Sequence, residues 1–118
     1  EQIAQGLQKH KWLSDQKRSR IIVDHNSTNP YDMFVNKAVK HFEFVPNSKF
    51  NFTVTSPLQW NFPNGKWSVK NKRVDIDTQI PLGPMLLRNS RIQTLTEKEM
   101  VMLTEVDGGL FLLCFTSE

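Results

Sequence analysis

Arg73-Val74-Asp75-Ile76-Asp77 alternates charged and apolar residues without a break. A period of two places both apolar side chains on one face and all three charges on the other, the pattern of a β-strand wetted on one side. The Asn71-Lys72 pair just before it predicts a tight reversal onto Lys66–Lys70. Pro63-Asn64-Gly65 predicts a second reversal, because a proline-fixed φ is followed by two residues tolerant of positive φ. Leu58–Phe62 and Lys66–Lys70 would then be the arms of a hairpin. A meander of this kind commits the chain to antiparallel sheet, and its function must lie in what the inner face encloses.

The same grammar recurs along the chain. Glu1–Gln8 has helix-favouring residues with Ile3 and Leu7 four apart, which predicts a short amphipathic lead-in. Lys11–Ser14 around Trp12 and the β-branched run Ser19–His25 predict strands. Tyr31–Lys40 fits a helical turn or a strand. His41–Val45 and Phe50–Val54 alternate with their phenylalanines on one side, and "VPNSK" turns the chain between them. "IPLGPM" and "LLRNS" predict a break and a loop before a short strand at Arg91–Leu95. Thr96 and Glu99 stand at capping-box spacing, which would start a helix. Asp107-Gly108-Gly109 is instead a hairpin signature, and Val101, Met102 and Leu103 are contiguous rather than helically spaced, which predicts two antiparallel strands here. Roughly eight to ten short strands with tight turns predict an all-β, mainly antiparallel barrel of about eight strands with a short N-terminal helix. Such a barrel is wide enough to pack side chains or to hold one small ligand.

With 118 residues, residues 1–118 read as one domain, with 1–10 as a lead-in. The chain starts at Glu1 without a methionine, which is read as a piece cut downstream of a signal or membrane anchor. A net charge of +3 and a pI near 9.2 permit anionic partners without requiring them. The single cysteine, Cys114, leaves no intrachain disulfide to form and makes a structural zinc site improbable.

Reactive groups are scarce. None of the three histidines has a second His or Cys at metal-ligand spacing, so no metal and no cofactor is expected. Asp24-His25 are adjacent in a predicted strand and point to opposite faces, which spoils them as a dyad. Asp75 and Asp77 share a face, but the charged face of a half-wet strand explains them. No nucleophile elbow and no phosphate-cradling glycine loop is present. The chain reads as a protein that binds rather than catalyses.

Leu110-Phe111-Leu112-Leu113-Cys114-Phe115 is apolar at both parities. One face can join the barrel interior, and the other needs cover from within the chain or from a partner. Taking Leu110 and Leu112 as inward leaves Phe111, Leu113 and Phe115 as the expected partner interface. Alternation elsewhere selects Phe42, Phe44, Phe50, Phe52, Val54, Trp67, Val74, Ile76 and Leu103 as further walls of a mostly apolar pocket. Met85 and Met100 are adaptable elements near its mouth.

The order "HKW", "FEFVPNSKFNF", "NGKWSVKNKRVDID" and "RIQTLTEKEMVMLTEVDGGLFLLCF" resembles the small lipocalin-like barrels, and among them the periplasmic portion of ToxS-type proteins, VtrC included. The features fall on Trp12, Phe44–Phe50, Gly65–Trp67, Val74–Ile76 and Ile92–Thr96 and cover most of the chain. The resemblance implies an inner-membrane anchor upstream and a periplasmic location. It also implies a heterodimer with a ToxR- or VtrA-like membrane-bound transcription regulator, and a cavity that senses bile salts to control virulence genes. The rival expectation is a barrel that binds single-stranded nucleic acid. Trp60 and Trp67 would stack on bases, while Lys66, Lys70, Lys72 and Arg73 would meet phosphates.

Overall fold

The computed structural model describes residues 2–15, 17–23, 39–54, 60–79, 86–106 and 109–118. Helix α1 (Gln2–Gln8) is followed by β1 (Lys11–Ser14), β2 (Arg20–Val23), β3 (Val39–Val45), β4 (Lys49–Val54) and β5 (Trp60–Lys70). Strands β6 (Arg73–Asp77), β7 (Leu86–Leu95), β8 (Glu99–Val106) and β9 (Gly109–Ser117) complete the order. All pairings are antiparallel and run β1-β3-β4-β5-β6-β7-β8-β9, and β9 pairs back onto β1. The result is a closed eight-stranded barrel. The ninth strand, β2, lies beside β9 on the same edge as β1: Ser14 faces Phe115, and Arg20 faces Leu112.

Turn chemistry sets the hairpins at one end. Asn71 and Lys72 adopt φ of 53° and 63° between the paired Lys70 and Arg73, a two-residue turn whose twist suits the flanking strands. Asn47 and Ser48 likewise take positive φ between Val45 and Lys49. Thr96 Oγ1 accepts the backbone N–H groups of Lys98 and Glu99 at 3.2 and 3.1 Å, as a helix cap would. Here the Thr96 N–H also donates to the Glu99 carbonyl at 2.9 Å, and the chain turns from β7 into β8 instead.

Two expected breaks are continuous strand. Pro63-Asn64-Gly65 does not reverse the chain but lies within β5. Phe50 pairs with Gly65 and Phe52 with Phe62, so Pro63 and Asn64 together oppose Asn51 as a bulge. A bulge is one of the few places where a sheet tolerates proline. "LLRNS" is not a loop but the first half of β7. A second bulge lies there at Asn89, whose φ is 54°. Its N–H donates to Asp75 Oδ1 at 2.8 Å and its side-chain amide to Glu105 Oε2 at 2.9 Å, tying the bulge to both neighbouring strands.

Helix α1 stops the hairpin end of the barrel. Leu7 is fully buried in the core, and the Trp12 indole N–H donates to its carbonyl at 3.0 Å. A Cβ on Gly6 would come within 2.6 Å of Leu95 Cδ2, so a side chain there would have to displace the end of that leucine. Residues 24–38, 55–59, 80–85 and 107–108 lie outside the described residues.

Candidate binding site

The barrel interior is built from the alternating strands. Phe42, Phe44, Phe50, Phe52, Val54, Trp67, Val74 and Ile76 are all buried and face inward, where the alternation places them. Met100 is also buried in the core, but it pairs with Leu95 and Phe115 at the α1 end rather than near a mouth. Through the middle they pack on one another. Phe42 lies 5.1 Å from Phe50, 5.6 Å from Phe52 and 4.7 Å from Phe115, centroid to centroid. Phe44 meets Phe50 and Trp67 edge-on at 5.2 Å each, a favoured geometry for aromatic pairs. The Trp67 indole N–H donates to the Val45 carbonyl at 3.0 Å, so its polar tip is satisfied inside the fold. Ser90 and Thr104, both fully buried, hydrogen-bond each other at 2.7 Å across β7 and β8. Nothing in the pattern of short polar residues distinguishes this inner pair from surface hydroxyls.

Strand β9 carries the opposite parity to the expected one. Phe111, Leu113 and Phe115 are 1%, 2% and 1% exposed and belong to the core, not to a partner interface. Leu110 and Leu112 are half-buried on the outer face, as is Leu103, which pairs with Leu112. Barrel closure decides this. Trp12 faces inward opposite Phe42 on one side and Ser117 on the other, and directly paired residues share a face. Phe115, Leu113 and Phe111 follow inward at steps of two, opposite Met100, Met102 and Thr104. Met85 lies outside the described residues.

The end away from α1 is different. Trp60 pairs with the inward-facing Val54 and therefore lies on the interior face, yet it is 53% exposed. It stacks on Phe62 at 6.3 Å and 26°, and Phe62 stacks on Phe52 at 6.2 Å and 29°. These three rings form a ladder from solvent to the core. Large inward-facing aromatics left wet at a barrel rim are the material of a binding mouth.

Several charged groups are engaged on the exterior. Asp75 accepts from Asn89, and Asp77 accepts from the backbone and side chain of Gln79 at 3.0 and 2.8 Å. Arg18 pairs with Glu99 and Asp15, and the Glu99 hydrogen bond raises its already high pKa further. Hydrogen bonds from His10 and then Lys9 hold the Glu97 carboxyl below its ordinary value. Burial pushes the Cys114 thiol up, and its Sγ reaches the Arg18 carbonyl at 3.6 Å. His41 is buried on the outer face against the Glu118 carboxylate. Asp24 and His25 lie outside the described residues, and among the described residues no three His, Cys, Asp or Glu side chains form a metal-sized group.

The nucleic-acid constellation comes apart. Trp67 is 7% exposed and points inward. Trp60 and Lys70 occupy opposite ends of β5, roughly 30 Å apart at strand rise. No base could stack on Trp60 while its own phosphate met the Lys70 hairpin. Neither a protein-family model nor a curated protein nor a solved structure matches this chain.

Proposed function

We propose that this barrel is a non-enzymatic sensor or co-regulator subunit of the ToxS/VtrC kind, binding an apolar ligand such as a bile salt at the end away from α1. The observation that carries the reading is the Trp60–Phe62–Phe52 ladder, inward-facing and wet at its rim, in a barrel whose other end is stopped by α1. Packed rings around Phe42 set the floor of the site, so the ligand sits above Phe52 rather than along the whole barrel. A steroid face laid on the ladder would remove apolar area from water at both surfaces. The partner in this reading is the periplasmic domain of a ToxR- or VtrA-like regulator at the inner membrane. Its seat is the outer apolar stripe of Leu103, Leu110 and Leu112, which takes the place of Phe111, Leu113 and Phe115. A signal to virulence genes then requires unequal ligand affinity for the active and inactive arrangements of the pair.

The test uses the protein's own reporter. Of the three tryptophans, Trp12 and Trp67 are buried and Trp60 is not. A bile salt added below its micelle concentration should shift Trp60 emission to the blue and shield it from acrylamide. Calorimetry should give about micromolar affinity, near −8 kcal/mol. Trp60→Phe should lose the optical signal, and Phe62→Ala should weaken the heat of binding. Unchanged emission together with no heat of binding would remove the ligand from this reading. The partner is tested separately, by co-purification with the regulator domain, which Leu112→Asp should abolish.

A further inference from the structure

The outer face of β5, β6 and β7 carries an arrangement that the ligand and partner readings leave unused. Lys70 pairs directly with Arg73, and Arg73 pairs directly with Arg91. Three cations therefore stand abreast on adjacent strands, a row about 10 Å long at ordinary strand spacing. Lys72 occupies the turn that joins Lys70 to Arg73. Like charges directly opposite one another oppose sheet formation unless something neutralises them. Nothing described in the chain does so. None of the three side chains has an ion pair or hydrogen bond among the described residues. Asp75 and Glu105 accept from Asn89 and Asp77 accepts from Gln79, and none of the three forms an ion pair with the row.

Arg73 adds the second observation. Its Nη1 is buried and has no hydrogen-bond partner. A guanidinium nitrogen withdrawn from water without an acceptor is costly, so a position of the Arg73 side chain turned out toward an acceptor is favoured over this one. Two guanidinium forks and an ammonium within one row match a tetrahedral oxyanion, whose oxygens can accept from several donors at once.

We propose that Lys70, Arg73 and Arg91 form a site for a phosphate-type oxyanion on the outer face of the barrel. The ligand is a phosphate group, carried either as a free phosphate or as the headgroup of an anionic phospholipid. It neutralises the row, and it reaches Arg73 Nη1, which is closed to solvent in this arrangement, only once the guanidinium swings outward.

The experiment uses the whole chain. Its melting temperature is followed with added sodium phosphate and with sodium chloride at matched ionic strength. Co-sedimentation is measured with vesicles of phosphatidylcholine alone and of phosphatidylcholine mixed with phosphatidylglycerol. Phosphate should raise the melting temperature beyond the chloride control, because a ligand that binds only the folded state stabilises it. Arg73→Gln and Arg91→Gln should each bind phosphate about tenfold more weakly, as expected for losing one charge-assisted contact. Both variants should remain as stable as the parent without phosphate, since each relieves repulsion. A response to free phosphate identifies the free anion as the source. Binding to phosphatidylglycerol vesicles alone, lost in the same variants, identifies the headgroup. Equal responses to phosphate and chloride without selective vesicle binding overturn the proposal. So does a phosphate response that Arg73→Gln and Arg91→Gln leave intact. Binding of a single-stranded oligonucleotide, but of neither phosphate nor vesicles, overturns it in favour of a nucleic-acid surface.

Discussion

Gly65 is the position where the barrel geometry can be tested with one methyl group. It follows the β5 bulge and lies between β4 and the end of β6. A Cβ there would meet the Phe50 carbonyl oxygen at 2.7 Å, the Asp77 carbonyl oxygen at 2.9 Å and the Phe50 ring at 3.1 Å. Both oxygens belong to backbone on flanking segments, so retreat from one side is limited by the other. Gly65→Ala must therefore spread the strands locally. Overpacking of this kind typically costs about 1–3 kcal/mol. Reduced freedom of the unfolded chain returns about 0.4–1 kcal/mol. Two backbone oxygens under 3.0 Å place the cost in the upper half of the overpacking range, about 2–3 kcal/mol, so the net loss is about 1–2.5 kcal/mol, or roughly 4–10 °C in melting temperature for a domain of this size. Urea unfolding followed by tryptophan emission gives the free energy, with an unchanged m-value if the variant still unfolds in one step. Asn64→Ala is the control, since Asn64 is exposed in the same bulge and should change stability by less than about 0.5 kcal/mol. A Gly65→Ala protein as stable as the parent would refute the close approach of the three segments, and with it the continuous β5.

The parity of β9 predicts that Phe111→Asp prevents folding, because it places an unpaired carboxylate in the core at a cost of several kcal/mol. Leu112→Asp should leave a folded barrel, and circular dichroism with thermal melts separates the two. Cys114 should react slowly with a thiol reagent in the native protein and at the ordinary rate in urea, since burial both hides the thiol and disfavours its thiolate. Glu97 should titrate below an ordinary glutamate by NMR. With the folded pKa depressed, its stabilising contribution is complete above the unfolded value and is lost as pH falls through the folded one. Glu97→Gln should flatten that acid limb while leaving neutral-pH stability nearly unchanged, because an exposed ion pair contributes little.

What was legible in the sequence is what local chemistry alone decides. Val74 and Ile76 announce their face because Arg73, Asp75 and Asp77 cannot share it, and Phe42, Phe44, Phe50 and Phe52 do the same on β3 and β4. Asn71-Lys72 reverses the chain because a turn is set within four residues. The errors lie where the deciding contact is distant. Pro63-Asn64-Gly65 has the residues of a turn, but Phe50, Phe52 and Asn51 on β4 convert them into a bulge within one strand. Asn89 looks like part of a loop until Asp75 and Glu105 hold it from either side. Leu110–Phe115 carries no parity signal at all, being apolar on both faces; its facing depends on Trp12, about a hundred positions earlier, through the pairing that closes the barrel. The two candidate sites follow the same division. The ring ladder exists only because Trp60 pairs with Val54 on the interior face and stays exposed at the rim. The cation row exists only because three strands bring Lys70, Arg73 and Arg91 level, although these residues are separated by as many as 21 positions in the chain. Register therefore positions both candidate sites, and if they bind as proposed, substitutions that shift a bulge should weaken that binding even where they touch no ligand.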